Sequence, residues 1–242
     1  MQVSFLNVGF GILAVFLAGL VQGTTAFGYG LVALPLLLIL LPLKTVIPII
    51  SMTGIFISMH LVWTERKNIN LKNNIRLIIF GVLGVLGGTY LLVLINPGIL
   101  RISAGVFIVV TSISLAKGFR IKITNERNSQ VIVGLLSGLM QGSISLGGPP
   151  VILFYSNQEV EKNVFRSNVS IYLFILIVFA LVFQLFTGFM TETSLEYSAF
   201  FIPAAIMGNY LGIKLSSKMS DGTYRKIVLV LVGISGLSCV IF

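Results

Sequence analysis

Negative charge is nearly absent from this sequence. Its 242 residues hold 7 Asp and Glu against 16 Lys and Arg, so charged residues make up only 10% of the chain. An ordinary soluble domain is about 25% charged. So few charges cannot cover a water-soluble fold of this size, which argues against a soluble globular enzyme. Disorder is excluded as well, because it needs low hydrophobicity and high charge. Cys239 is the 1 cysteine, and it rules out an internal disulfide, a thiolate metal cluster and a Cys-x-x-Cys redox motif. No Lys or Arg precedes Lys44. The first apolar run therefore lacks the basic start of a signal peptide and reads as retained.

What is abundant is apolar. Hydrophobic residues form 56% of the chain, and the mean hydropathy is +1.04. A span plus its loop takes roughly 30 residues, which gives about eight crossings. The chain reads as an all-α polytopic membrane protein whose environment is the lipid bilayer. The net charge of +9 then reflects basic residues kept in cytoplasmic loops. No aromatic and basic stripe lies outside the apolar segments, so nucleic acid is not expected as a partner.

Apolar runs occupy 4–22, 31–42, 46–63, 76–95, 99–117, 130–141, 150–157, 168–188, 197–213 and 224–242. The runs 31–42, 130–141 and 150–157 are short for a crossing, and they flank Gly28-Tyr29-Gly30 and Gly147-Gly148-Pro149-Pro150. Short, interrupted hydrophobic segments in matching halves point to a transporter binding site. Basic loops at 64–76, 117–129 and 214–226 are assigned to the cytoplasm, and the acidic loop 189–196 to the outside. Residues 130–157 then start and end inside, too few for two full crossings, and predict a re-entrant hairpin; the alternative, one broken crossing, would put Lys214, Lys218, Arg225 and Lys226 outside, against the positive-inside rule. Residues 4–42 predict its counterpart, entered from outside and longer, and Lys44 falls outside. Both termini are expected outside, in a multi-pass plasma-membrane protein.

The two halves resemble each other. Ala18-Gly19-Leu20-Val21-Gln22-Gly23-Thr24 matches Ser137-Gly138-Leu139-Met140-Gln141-Gly142-Ser143. Gly28 matches Gly147, Gly88-Thr89-Tyr90-Leu91 matches Gly208-Asn209-Tyr210-Leu211, Lys44 matches Lys162, and Gly98 and Arg101 match Gly222 and Arg225. With opposite orientations assigned from charge, the expected architecture is two inverted-topology repeats. Each is a re-entrant or broken helical hairpin followed by three transmembrane helices. The expected boundaries are residues 1–118 for the first repeat, 119–129 for a cytoplasmic linker and 130–242 for the second repeat.

The duplicated words Gly19-x-x-Gln22-Gly23…Gly28-x-Gly30…Pro35 and Gly138-x-x-Gln141-Gly142…Gly147-Gly148-Pro149-Pro150, with Phe165-Arg166-Ser167-Asn168 leading into a span, carry a resemblance. The chain resembles the TauE/SafE sulfite-exporter family of membrane permeases over nearly its whole length. That resemblance implies transport of sulfite, sulfonates or related sulfur-containing anions.

The residues themselves suggest how an anion is held. The returning half-helix of a hairpin starts at membrane depth with unpaired N–H groups and a positive dipole end. Gly28, Gly30, Gly147, Gly148 and Pro149 lie at those starts, and proline in a first helical turn loses least. One central anion site between the tips is expected. Gln22 and Gln141 can donate to a ligand oxygen or fasten the hairpin. Thr24, Thr25, Ser143 and Ser145 are weaker candidates, because such hydroxyls often bond their own helix. Tyr90, Asn209 and Tyr210 are candidates for facing the pore. Lys44, Lys162 and Arg166 are candidates for gating or for drawing anions into a vestibule, with topology anchoring as the alternative. Small residues four apart at Gly19/Gly23, Gly84/Gly88, Gly134/Gly138, Gly138/Gly142 and Gly208/Gly212 read mainly as helix packing.

No cofactor, metal or catalytic residue is expected. His60 is the 1 histidine and reads as an interfacial residue or a proton relay. No Asp or Glu falls in the middle of a span, which favours uniport over a proton-driven pump. The leading reading is alternating access of small sulfur anions. The alternatives are a channel of the same architecture, a scaffold, or an intramembrane hydrolase pairing Ser143 or Ser145 with His60.

Overall fold

The computed structural model describes residues 5–66, 69, 71–116, 126–156 and 161–219. Among them every regular element is a helix: α1 (Phe5–Thr25), α2 (Tyr29–Leu38), α3 (Leu43–Glu65), α4 (Leu71–Leu94), α5 (Pro97–Ala116), α6 (Glu126–Ile144), α7 (Gly148–Ser156), α8 (Lys162–Phe186) and α9 (Glu192–Ser216). Five of these, α1, α3, α4, α8 and α9, are long and apolar enough to cross a membrane. The chain is an all-α polytopic membrane protein. The run 224–242, with Arg225, lies outside the described residues, as does the side chain of Arg101.

The short run at 130–141 is the arm that differs from expectation. It extends by about a turn at its start, into Glu126–Arg127–Asn128, and through Ser143–Ile144 at its end. Backbone hydrogen bonding continues where hydropathy stops, because a polar residue costs little at a helix end. Each hairpin therefore has one long arm and one short arm, 21 and 10 residues in the first and 19 and 9 in the second.

Small residues set the packing. Along α1 and α9, Gly19 lies against Ala205 and Gly23 against Asn209, so the two helices run in the same direction. Along α6 and α4, Gly134 lies against Leu77, Gly138 against Gly81 and Gly142 against Val85, again in the same direction. Backbones approach so closely that a Cβ on Gly138 would sit 1.9 Å from the Gly81 carbonyl oxygen, and one on Gly208 2.1 Å from that of Phe16. In lipid such close approach replaces the hydrophobic drive that holds helices together in water. Each pairing joins one half of the chain to the other, so the halves interlock.

Between these pairs, α3 and α8 run antiparallel. Ser51 meets Gln184 at one end and Glu65 meets Arg166 at the other. The chain segments that the charge pattern groups on one face also meet. Lys44 lies over the Phe189 ring, 5.6 Å from its centroid. On the other face Lys162 Nζ donates to the carbonyls of Ser216 and Met219, both at 3.0 Å.

Candidate functional site

Both long hairpin arms end in a residue that resists its own backbone. Ala26 has φ +70 and Ser145 φ +57. A non-glycine residue in the left-handed region costs roughly 1–2 kcal/mol, and such strain gathers at functional sites. Gly28, at φ +92, completes the first turn. The two tips touch, since a Cβ on Gly30 would sit 2.4 Å from the Ser145 carbonyl oxygen.

The repeat-related glutamines act alike. Gln22 Oε1 accepts the Tyr29 N–H at 3.1 Å, and Gln141 Oε1 accepts the Gly147 N–H at 3.0 Å. A backbone N–H can only donate, so each amide must present its oxygen there. Each NH2 group then points elsewhere, and both glutamines, 3% and 4% exposed, line a small cavity between the tips. The first intrahelical bond of α2 runs from Val32 N–H to Gly28 O. The N–H groups of Gly30 and Leu31 are therefore left without an intrahelical partner at the cavity wall.

That cavity measures about 40 Å³. One water needs about 10–15 Å³ on the same measure, so the space suits a few waters or one small oxyanion. Of the residues proposed from sequence, Gln22, Gly28, Gly30, Gln141, Gly147, Gly148 and Pro149 all line it. Tyr29 and Ser145 line it too, each engaged elsewhere. Tyr29 Oη donates to Thr53 Oγ1 at 2.7 Å. Ser145 Oγ pairs with Ser51 Oγ at 3.2 Å, and Gln184 Nε2 donates to that Ser51 at 3.1 Å.

Other candidates lie away from it. Thr24 Oγ1 donates to Leu20 O and Ser143 Oγ to Leu139 O, both at 2.7 Å, so these hydroxyls are used within their own helices. Tyr90 and Tyr210 project from the bundle, 63% and 54% exposed. Asn209 is buried against α1 and its Oδ1 lies 2.9 Å from His60 Nδ1. His60 thus meets Asn209 and not Ser143 or Ser145, whose own bonds run to Leu139 and Ser51.

Arg166 is the most heavily bonded candidate. It is 3% exposed, yet its guanidinium donates to Glu65 Oε1 at 2.7 Å, Thr24 O at 2.6 Å, Gly23 O at 3.0 Å and Ser216 Oγ at 2.9 Å. One cation thereby joins the C-terminal ends of α1, α3 and α9, where the helix dipoles are negative. Arg166, Lys44 and Lys162 are not among the residues that line the cavity.

Sequence reasoning passed over Ser58. It is buried, it lines the cavity, and its Oγ has no hydrogen-bond partner among the described residues. A helical serine normally bonds the carbonyl four residues back. Its signal lay in Ser51, Gly54 and Ser58, a stripe of small residues on one face of an otherwise apolar helix. Because the hydroxyl is unsatisfied, Ser58→Ala is expected to leave the unfolding temperature unchanged or to raise it slightly. A clear fall in a thermal melt of the purified protein would contradict this placement.

These features define a class: a helical membrane protein with two broken hairpins whose tips border a small cavity lined by a few polar side chains in an otherwise aliphatic wall. A family model described as Sulfite exporter TauE/SafE matches residues 11–239, and the chain belongs to that family of membrane permeases. Neither a curated protein nor a solved structure matches the chain.

Proposed function

We propose that this protein is a plasma-membrane permease for small sulfur-containing anions such as sulfite or a short sulfonate, held in the cavity between the hairpin tips. The observation that carries the reading is that two half-helix N-termini, Gln22, Gln141 and the unpartnered Ser58 hydroxyl all line this cavity, with each glutamine oxygen already taken by a backbone N–H so that its NH2 is left to donate to a ligand. All are neutral donors, and together they can replace the hydration of an oxyanion without burying a cation. In a second-half glycine run, Pro149 and Pro150 remove two N–H groups, so α7 contributes fewer donors than α2.

The antiparallel course of α3 and α8 and the like-directed pairs α1/α9 and α4/α6 support an inverted duplication. Such repeats transport by rocking about a fixed central site. With the cytoplasm negative, export of an anion is favoured by about 2.3 kcal/mol per charge per 100 mV, so uniport suffices for export. The basic face with Arg166 and Lys162 is the cytoplasmic one in this reading, and the N-terminus lies outside.

The test is flux of labelled sulfite and methanesulfonate into proteoliposomes, with chloride and acetate as controls. Saturable flux is expected for the sulfur anions. Gln22→Ala and Gln141→Ala each remove a hydrogen bond to a charged ligand, worth about 1.5–3 kcal/mol. Their kcat/KM is expected to fall about 10- to 100-fold. Flux of acetate or chloride alone, by protein shown to be folded, would contradict the sulfur-anion reading.

A further inference from the structure

The charge of the cavity wall limits the charge of its ligand. Among the described residues no lining side chain carries a full charge. The polar ones are Gln22, Gln141, Tyr29, Ser58 and Ser145, and much of the rest is aliphatic, as at Ile50 and Leu173. The positive potential comes from two helix N-termini, each equivalent to about +0.5 charge. Their sum is at most about one positive charge, since the C-terminal ends of α1 and α6 reach the same tips with the opposite sign. The nearest buried cation described, Arg166, is paired with Glu65, donates three further hydrogen bonds to Thr24, Gly23 and Ser216, and does not line the cavity.

Desolvation and binding scale differently with ligand charge. The Born cost of taking an ion out of water grows with the square of its charge. The attraction to fixed dipoles grows only in proportion to it. A dianion would thus cost about four times as much to desolvate as a monoanion and gain about twice the dipole attraction. It would leave a full uncompensated charge in an apolar wall. Ser58 adds a chemical fit for a protonated oxyanion, because its hydroxyl both donates and accepts. The glutamine oxygens cannot accept from the ligand while they cap Tyr29 and Gly147.

From this balance we infer that the site selects singly charged oxyanions, hydrogensulfite or an organosulfonate, and rejects the sulfite dianion and sulfate. This rests on the permease reading above and names the charge state of its substrate. Tyr29 is the titratable residue lining the cavity, and its hydroxyl is held by Thr53. The expected pH dependence therefore comes from the substrate, since sulfite and hydrogensulfite interconvert near neutral pH.

The experiment follows labelled methanesulfonate, whose single charge does not change near neutrality, into wild-type proteoliposomes. Unlabelled sulfite and sulfate serve as competitors on both sides of the sulfite equilibrium. On its alkaline side, the sulfite concentration that halves the flux is expected to rise about tenfold per pH unit, as hydrogensulfite is depleted. Sulfate is expected to compete poorly at every pH. Equal competition by sulfate, or sulfite inhibition that strengthens with pH, would overturn the charge rule and leave the permease reading standing. Absence of methanesulfonate flux in folded protein that still moves sulfite dianion would overturn the charge rule as well. Absence of flux of every sulfur anion would overturn both.

Discussion

Arg166→Ala is expected to lower stability by about 3–5 kcal/mol, the usual consequence of removing one partner of a buried ion pair. Three losses combine. Glu65, with its side chain 14% exposed, keeps its charge without a counter-ion. The carbonyls of Gly23 and Thr24 lose their donors where α1 ends in the strained Ala26 turn. The Ser216 contact that holds the end of α9 also goes. Arg166→Lys retains the charge but not the planar fork that reaches four acceptors, so an intermediate loss is expected. The double change Arg166→Met with Glu65→Leu removes the orphaned carboxylate but leaves the two carbonyls unpaired, so it recovers part of the loss. Heat-scan midpoints of the purified variants check this order. An Arg166→Ala protein as stable as wild type would contradict the role of Arg166 as the clamp on the first hairpin.

The second large effect belongs to the helix crossing of α4 and α6. Gly138→Val is expected to prevent assembly, because even the first added carbon would overlap the Gly81 carbonyl at 1.9 Å. The atoms met belong to the backbone of Gly81 and Gly84, so no rotamer change can relieve the clash, and the helices must separate along their length. Gly87→Ala, on the same α4, is the contrast. Its added carbon would meet only the Leu139 side chain, at the ordinary distance of 3.6 Å. That variant is expected to be recovered at wild-type yield as monodisperse protein, whereas Gly138→Val is not. Equal yields would show that the α4–α6 contact is looser than described.

The breaks and their glutamines were legible in the sequence because their chemistry is local. A Gly- or Pro-rich interruption and an amide just before it are visible without knowing what they face. The packing glycines were legible for a similar reason, since spacing of four places them on one helix side. Contacts across the fold were not. Glu65 looked like one more loop charge until the antiparallel run of α3 and α8 set it beside Arg166. Ser58 looked like an incidental small residue because nothing in sequence reveals that its hydroxyl lacks a partner. Thr24 and Ser143 shared the right neighbourhood, yet helix geometry turned their hydroxyls back to Leu20 and Leu139. Tyr90 and Tyr210 illustrate the same limit: position along a span says little about which side of the helix faces inward. The hydropathy pattern also cut α6 short at both ends, because it measures lipid compatibility and not backbone hydrogen bonding.

The placement of the anion between the hairpin tips rests on a cavity that a single engineered thiol can report. Ser58→Cys, in a protein whose Cys239 has been replaced by serine, puts a single thiol in the chain, at the cavity wall. Its rate of modification by a small thiol reagent is measured with increasing methanesulfonate. Protection is expected to saturate at the same methanesulfonate concentration that half-saturates flux, because one molecule cannot share the cavity with another. Undiminished modification at concentrations that saturate flux would place the transported anion elsewhere in the molecule.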